Sequence, residues 1–151
     1  MSLVDEVAKG ATGLQQLQAL IDQQRMPGIA ESLQFTLTEV ELGRAVFEAV
    51  PGHHAYNPIG VIHGGYIATL LDSAAGCAVH SMLDETQAYT TLELKVSYER
   101  AIRADSGRVR AVGTISTMGR KAAFAEAKLF DTDGRVLASA TSTCLVFPRP
   151  S

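Results

Sequence analysis

Apolar residues follow a helical spacing between Gly64 and about Met82 and a strand spacing after it. In the first stretch Ile67, Leu70, Leu71, Ala74 and Ala78 share one face, and Gly65, Thr69, Asp72 and Gly76 share the opposite one. Beyond it, residues 87–98 alternate. Leu92, Leu94, Val96 and Tyr98 fall on one side, Thr91, Glu93, Lys95 and Ser97 on the other. Residues 107–117, 122–130 and 136–147 read as further strands, joined by turns at 118–121 and 131–134. Upstream, residues 33–41 and 44–50 read as two strands around a Leu42-Gly43 turn, followed by a polar loop whose glycines and Pro58 rule out a helix. Leu14, Leu17, Leu20 and Ile21 predict a short amphipathic helix over 12–24, capped by Thr12 and stopped by Pro27-Gly28. Residues 1–11 are expected to be a loose tail. The order predicts an α+β fold in which one long helix lies against an antiparallel sheet, with an extra N-terminal helix. The tail and short helix occupy 1–28, and the main domain 29–151.

The chain has 151 residues, enough for one domain with a core of its own. Its net charge of −3 and the lack of any Lys/Arg block argue against nucleic acid as a partner. The longest apolar stretch, 67–79, is too short for a bilayer and carries Asp72 and Ser73. Residues 1–6 lack the basic and apolar regions of a signal peptide, so a cytoplasmic location is expected. Cys77 and Cys144 both sit in apolar patterns and form no zinc spacing. His53, His54 and His80 are not spaced with carboxylates as a metal site, and no metal is expected.

The chemistry is concentrated in residues 57–72. His63-Gly64-Gly65 stands directly before the long helix, where backbone N–H groups have no intrahelical partner and the helix dipole is positive. Gly64 is the candidate oxyanion donor, because a residue without a side chain lets a carbonyl approach its amide; Gly65 is a candidate to share the role. Asp72 is a carboxylate in an otherwise apolar helix, a costly placement that suits a general base or a nucleophile. Gly64 and Asp72 are eight positions apart, roughly 12 Å of helical rise, whereas reacting groups must lie about 3 Å apart. Either the pairing is wrong or the second group comes from another chain. A twofold dimer with antiparallel helices would bring Gly64 of one subunit to Asp72 of the other. Asn57 has an amide that suits a carbonyl or an attacking water, although Asn-Pro also starts turns. His63 lies about two turns from Asp72, too far to pair with it in one chain. It is expected to shape the turn, and a direct contact with substrate is the alternative.

The pattern N-x-x-G-x-x-H-G-G-x6-D, with the strands that follow it, resembles the hotdog-fold acyl-CoA thioesterases, and most closely their phenylacetate-degradation (PaaI-type) branch, similar to the 4-hydroxybenzoyl-CoA thioesterases. Met118-Gly119-Arg120-Lys121 before residues 122–129 is similar to that family's penultimate hairpin, so the likeness spans about residues 30–147. The resemblance implies a sheet wrapped around the long helix and a homodimer joined edge to edge, with a dimer of dimers as the expected larger assembly. It implies acyl-CoA hydrolysis at the interface without metal or cofactor. Asn57 matches a site asparagine, and Thr91 (or Thr90, if the alignment slips by one) a residue that orients water. Arg120, Lys121, Arg100 and Arg103 are candidates for CoA phosphates. An acyl-CoA-binding module without turnover and a hydratase or dehydratase share the fold. The first would favour loss of the carboxylate at 72; the second needs an Asp–His pair that this spacing does not supply.

Overall fold

The computed structural model, which describes residues 1–150, shows how closely the long helix meets the sheet. Helix α4 (Gly64–His80) rests in a curved sheet of β1 (Phe35–Glu41), β2 (Arg44–Ala49), β3 (Gln87–Tyr98), β4 (Val109–Met118), β5 (Ala122–Phe130) and β6 (Val136–Pro148). All pairings are antiparallel, in the order β1-β2-β4-β5-β6-β3. This is the hotdog arrangement of an α+β protein.

Strand β5 alternates strictly: Ala123, Ala125, Ala127 and Leu129 are buried, while Phe124, Glu126 and Lys128 face out. Together with Ala111, Ala138 and Ala140 these alanines form a low floor. Leu70, Leu71, Ala74, Ala75, Ala78 and Val79 of α4 are buried in the same core, and an edge-to-face pair of Phe35 and Phe47 fills its wider end. The closest approach is at Gly113 of β4. A Cβ added there would stand 2.1 Å from the Ala74 carbonyl oxygen, so only glycine fits without moving the helix backbone.

Three short helices precede the sheet: α1 (Leu3–Ala8), α2 (Gly13–Asp22) and α3 (Gly28–Leu33). The expected tail over 1–11 is therefore largely helical. Ser2 caps α1 by accepting from the Asp5 amide, and the Arg149 guanidinium pairs with Asp5. Six residues are too few to announce a helix that leans on contacts from elsewhere in the chain. Helix α2 begins where expected, with a reciprocal capping box between Thr12 and Gln15. Residues 28–33, partly read as strand, form α3 and end at Gln34 in the left-handed conformation (φ 60°), so β1 starts later than expected. Helix α4 likewise stops at His80 rather than near Met82.

The larger correction concerns β3. A bulge between Thr91 and Glu93 shifts its pairing with β6, so that Thr91 opposes Cys144 and Leu94 opposes Ser142. Tyr89 and Thr91 thus lie on the same face as Leu94, Val96 and Tyr98, and Leu92, expected among them, is 61% exposed. Simple alternation puts Thr91 on the wrong side because one residue is inserted.

At its C-terminus α4 meets α2 through His80, whose Nε2 donates to Gln16 Oε1 at 2.9 Å. Burial, reinforced by the Arg149 charge, lowers the His80 pKa from 6.5 to about 4. The folded state therefore favours the neutral ring. This contribution is complete above the unfolded pKa and is lost as pH falls through the window from 6.5 to about 4. Urea midpoints measured from pH 7 to 4 should fall by an amount equivalent to roughly 1–3 kcal/mol, and His80→Gln should flatten that slope. At neutral pH Gly113→Ala should cost about 3 kcal/mol or more, because a methyl group meets backbone, whereas Gly28→Ala, with open space around it, should shift stability by less than about 1 kcal/mol.

Candidate active site

One face of α4 is flush with the alanine floor, and the opposite face turns toward edge strand β3. The two elements run antiparallel, so each turn of that face meets a defined strand residue. At the helix C-terminal end Tyr89 packs against Gly76, where a Cβ would come 2.6 Å from the phenol oxygen. In the middle the Thr91 hydroxyl donates to Asp72 Oδ1 at 3.1 Å. At the N-terminal end the Tyr98 hydroxyl donates to the Gly64 carbonyl at 2.7 Å.

Asp72 is half-buried on this face. Its effect reaches its neighbours. Burial first, and the Asp72 charge second, push the Cys77 thiol up to about 12. The protonated thiol is therefore the favoured form of Cys77 at neutral pH. Burial also holds the Tyr89 phenol well above its ordinary value, with Cys77, Cys144 and Asp72 adding to the effect. The Thr91 hydroxyl spends its proton on the carboxylate, so any influence it has on water is exerted through Asp72. Thr90, the other reading of that position, is exposed.

His63 is the N-cap of α4. Its Nδ1 accepts from the Gly65 amide at 2.8 Å, and its carbonyl accepts from Tyr66 and Ile67. The Gly65 amide, the second candidate for the oxyanion role, is thereby engaged in the helix cap. The Gly64 amide makes no hydrogen bond among the described residues. Gly64 lines a cavity of about 340 Å³ with Val61, Ile62, Ile67, Tyr98 and Arg100. The Asn57 Oδ1 accepts from the amides of Ile59 and Val61, closing the loop that leads into His63; its NH2 group makes no hydrogen bond among the described residues.

The chain does not gather all the expected residues at one place. Arg100 borders the Gly64 cavity. Arg120 and Lys121 line a different cavity of about 790 Å³ with Thr86, Gln87 and residues 145–148, beyond the Asp72 end of β3. Arg103 lies in neither; its amide donates to Ser106 Oγ in the loop before β4. Among the described residues no group of three His, Cys, Asp or Glu side chains is arranged to hold a metal ion. No helix is long and apolar enough to cross a membrane. Tyr89 and Tyr98 were not picked out as site residues, because the bulge that brings strand and helix into register leaves no mark in the alternation.

A carboxylate braced by a hydroxyl and a helix N-terminal amide without a partner among the described residues lie on the helix enclosed by a hotdog sheet, and the comparisons with known proteins make the class a thioester hydrolase. A family model described as "Thioesterase superfamily" matches residues 59–138, and the chain belongs to that family. Among curated proteins it is 32% identical over 99 residues to the medium/long-chain acyl-CoA thioesterase YigI of Salmonella typhimurium, a match covering 57% of this chain and 63% of that protein. It is 29% identical over 98 residues to the proofreading thioesterase EntH of Klebsiella pneumoniae, covering 65% and 70%. Among solved structures, the E. coli PaaI protein of the phenylacetic acid degradation operon superposes with a TM-score of 0.77 at 16% identity, covering 89% of this chain and 94% of that one. At that identity the likeness is one of fold.

The Thr91–Asp72 bond generates a prediction of its own. Thr91→Val keeps the shape and removes the donor. Thioester turnover should fall about ten- to 150-fold, the cost of one hydrogen bond to a charged group, with the melting temperature nearly unchanged. Steady-state hydrolysis beside a thermal melt checks both.

Proposed function

We propose that this chain is an acyl-CoA thioesterase of the PaaI type. It hydrolyses a medium-chain or aromatic acyl-CoA to the free acid and CoA, at a site shared by two copies of the chain. The carrying observation is the placement of the Gly64 amide and the Thr91-braced Asp72 on one face of α4, at separate heights. Their separation along a rigid helix, roughly 12 Å, is far beyond a reacting distance, so neither group can complete the other within one subunit. Two α4 helices antiparallel about a twofold axis would remove the conflict. Strand β3 supports this reading: it is an edge strand of twelve residues that pairs only with β6. A long open edge of this kind is a template for strand pairing.

In the composite site the Gly64 amide of one subunit holds the thioester oxygen as charge develops on it. Asp72 of the partner subunit either takes a proton from water, which attacks the carbonyl carbon, or attacks that carbon itself to give a mixed anhydride that water then cleaves. In both routes the C–S bond breaks and CoA leaves as a thiolate that takes up a proton. Asn57 assists through its NH2 group, which has no partner among the described residues while Oδ1 closes the loop. Arg100 at the Gly64 end, and Arg120 and Lys121 beyond the Asp72 end, are the proposed partners of CoA phosphates, with Arg103 in the neighbouring loop. The medium-chain preference is supported by the likeness to YigI, whose name carries that substrate. A hydratase would need a histidine beside the carboxylate, and the His63 ring is occupied in capping α4. A cytoplasmic location and assembly of dimers into tetramers belong to the same proposal.

Thiol release should be measured with short, long and aromatic acyl-CoAs. Asp72→Asn and Asp72→Ala should each lose at least roughly a hundredfold in turnover. Unchanged turnover would remove Asp72 from the mechanism. A shared site adds a sharper test. Gly64→Val and Asp72→Asn proteins, each inactive alone, should recover about a quarter of wild-type activity when refolded together one to one, because half the dimers would hold one intact site of two. No recovery would show the site to lie within one subunit.

A further inference from the structure

The peptide between Gly64 and Gly65 is held from both ends. Its N–H, carried by Gly65, donates to His63 Nδ1 at 2.8 Å. Its C=O, carried by Gly64, accepts from the Tyr98 hydroxyl at 2.7 Å. The first hold is local, a helix cap. The second comes from the far end of β3, 34 residues away. A carbonyl in the first turn of a helix is already satisfied by the amide four residues on, so the helix does not need this bond to avoid an orphaned group. Nor does Tyr98 need it, since a side chain that is 53% exposed can give its proton to water. The contact is tight as well: a Cβ on Gly64 would lie 3.1 Å from the phenol oxygen.

We propose that Tyr98 is a positioning residue for thioester hydrolysis. Together with His63 Nδ1 it fixes the plane of the Gly64–Gly65 peptide; the Gly64 N–H belongs to the preceding peptide, whose His63 carbonyl accepts from the Tyr66 and Ile67 amides, and with both planes held the soft Gly64 dihedrals between them cannot drift. The proposal rests on the reading of Gly64 as the oxyanion donor. Two successive glycines have no side chains to restrict their dihedrals, so the turn that best admits a substrate carbonyl is also the one least able to hold its own geometry. An oxyanion donor acts only if it is already aimed, within hydrogen-bond distance of the place where charge appears. The restraint must therefore come from outside the pair. His63 supplies it through its carbonyl, which anchors the peptide bearing the Gly64 N–H, and through Nδ1 on the Gly65 amide; Tyr98 supplies it on the Gly64 carbonyl. Because the phenol proton is directed at a protein carbonyl, Tyr98 gives nothing directly to the substrate. Its loss falls on turnover and leaves ground-state binding intact.

The test compares wild type, Tyr98→Phe and Asp72→Asn with octanoyl-CoA and benzoyl-CoA. Tyr98→Phe keeps the ring against Gly64 and deletes only the donor. Its kcat should fall about tenfold, with KM within about twofold of wild type, as expected for the loss of one aligning hydrogen bond. In the substrate-free protein its Gly64 and Gly65 amide resonances should move and the Gly65 amide should exchange faster, a readout independent of turnover. A kcat equal to wild type, or a loss confined to KM, overturns the role of Tyr98; with Asp72→Asn inactive in the same series, the reading of the site survives that failure. Full turnover by Asp72→Asn overturns the site reading, and the Tyr98 proposal with it.

Discussion

The fold depends on one close approach, that of the α4 backbone to the sheet at Gly113. Nothing larger than hydrogen fits between β4 and the Ala74 carbonyl, and the strand positions around it are alanines. Small residues contribute little hydrophobic free energy each, but they let backbone meet backbone at a distance where dispersion contacts are dense. The consequence is positional. With one face of the helix set flush on the floor, the opposite face has a fixed height and a fixed rotation relative to the sheet edge. Asp72, Gly64 and Gly76 lie on that second face, and none of them could hold a stable relation to β3 if the first face were loosely packed.

Strand β3 converts this fixed height into a site. Its inner face supplies Tyr89, Thr91 and Tyr98 to three successive levels of α4, and the bulge at Leu92 makes this registration work. Without the extra residue Thr91 would face outward with Glu93, and the Asp72 carboxylate would lose its donor. A bulge costs a ladder bond and leaves Leu92 largely in solvent. It is tolerated on a strand bordered by β6 alone, where no second neighbour would have to absorb the shift.

These particulars explain which parts of the protein were legible in its sequence. The long helix, all six strands and the His63–Asp72 spacing were readable because each is set by local periodicity or by residues close together in the chain. The helices at 3–8 and 28–33 were not. Helix α1 is steadied by Arg149 at the other terminus, and α3 is a single short turn of structure before β1. The bulge was invisible because an inserted residue leaves the strand apolar and β-branched as before. The engagement of Gly65 was missed for a different reason. Both glycines look like free amides until the capping atom is known, and here it is the ring of the residue just before them.

The division of labour between the two glycines bears on the composite site. His63 uses the Gly65 amide to cap the helix, which leaves the Gly64 amide without a partner among the described residues, in a residue that lines the cavity beside Arg100. A helix of this length is rigid, so the carboxylate two turns away cannot bend toward that cavity. Helix α4 itself carries no acid at its N-terminal end, where the carboxylate bordering the Gly64 cavity is that of Glu99 just after β3, and no oxyanion donor at Asp72. Each end thus carries the half that the other requires. Two such helices related by a twofold axis would satisfy both needs at once and generate two equivalent sites. The open edge of β3, which bears the residues that register both halves, is the surface through which that pairing would be made.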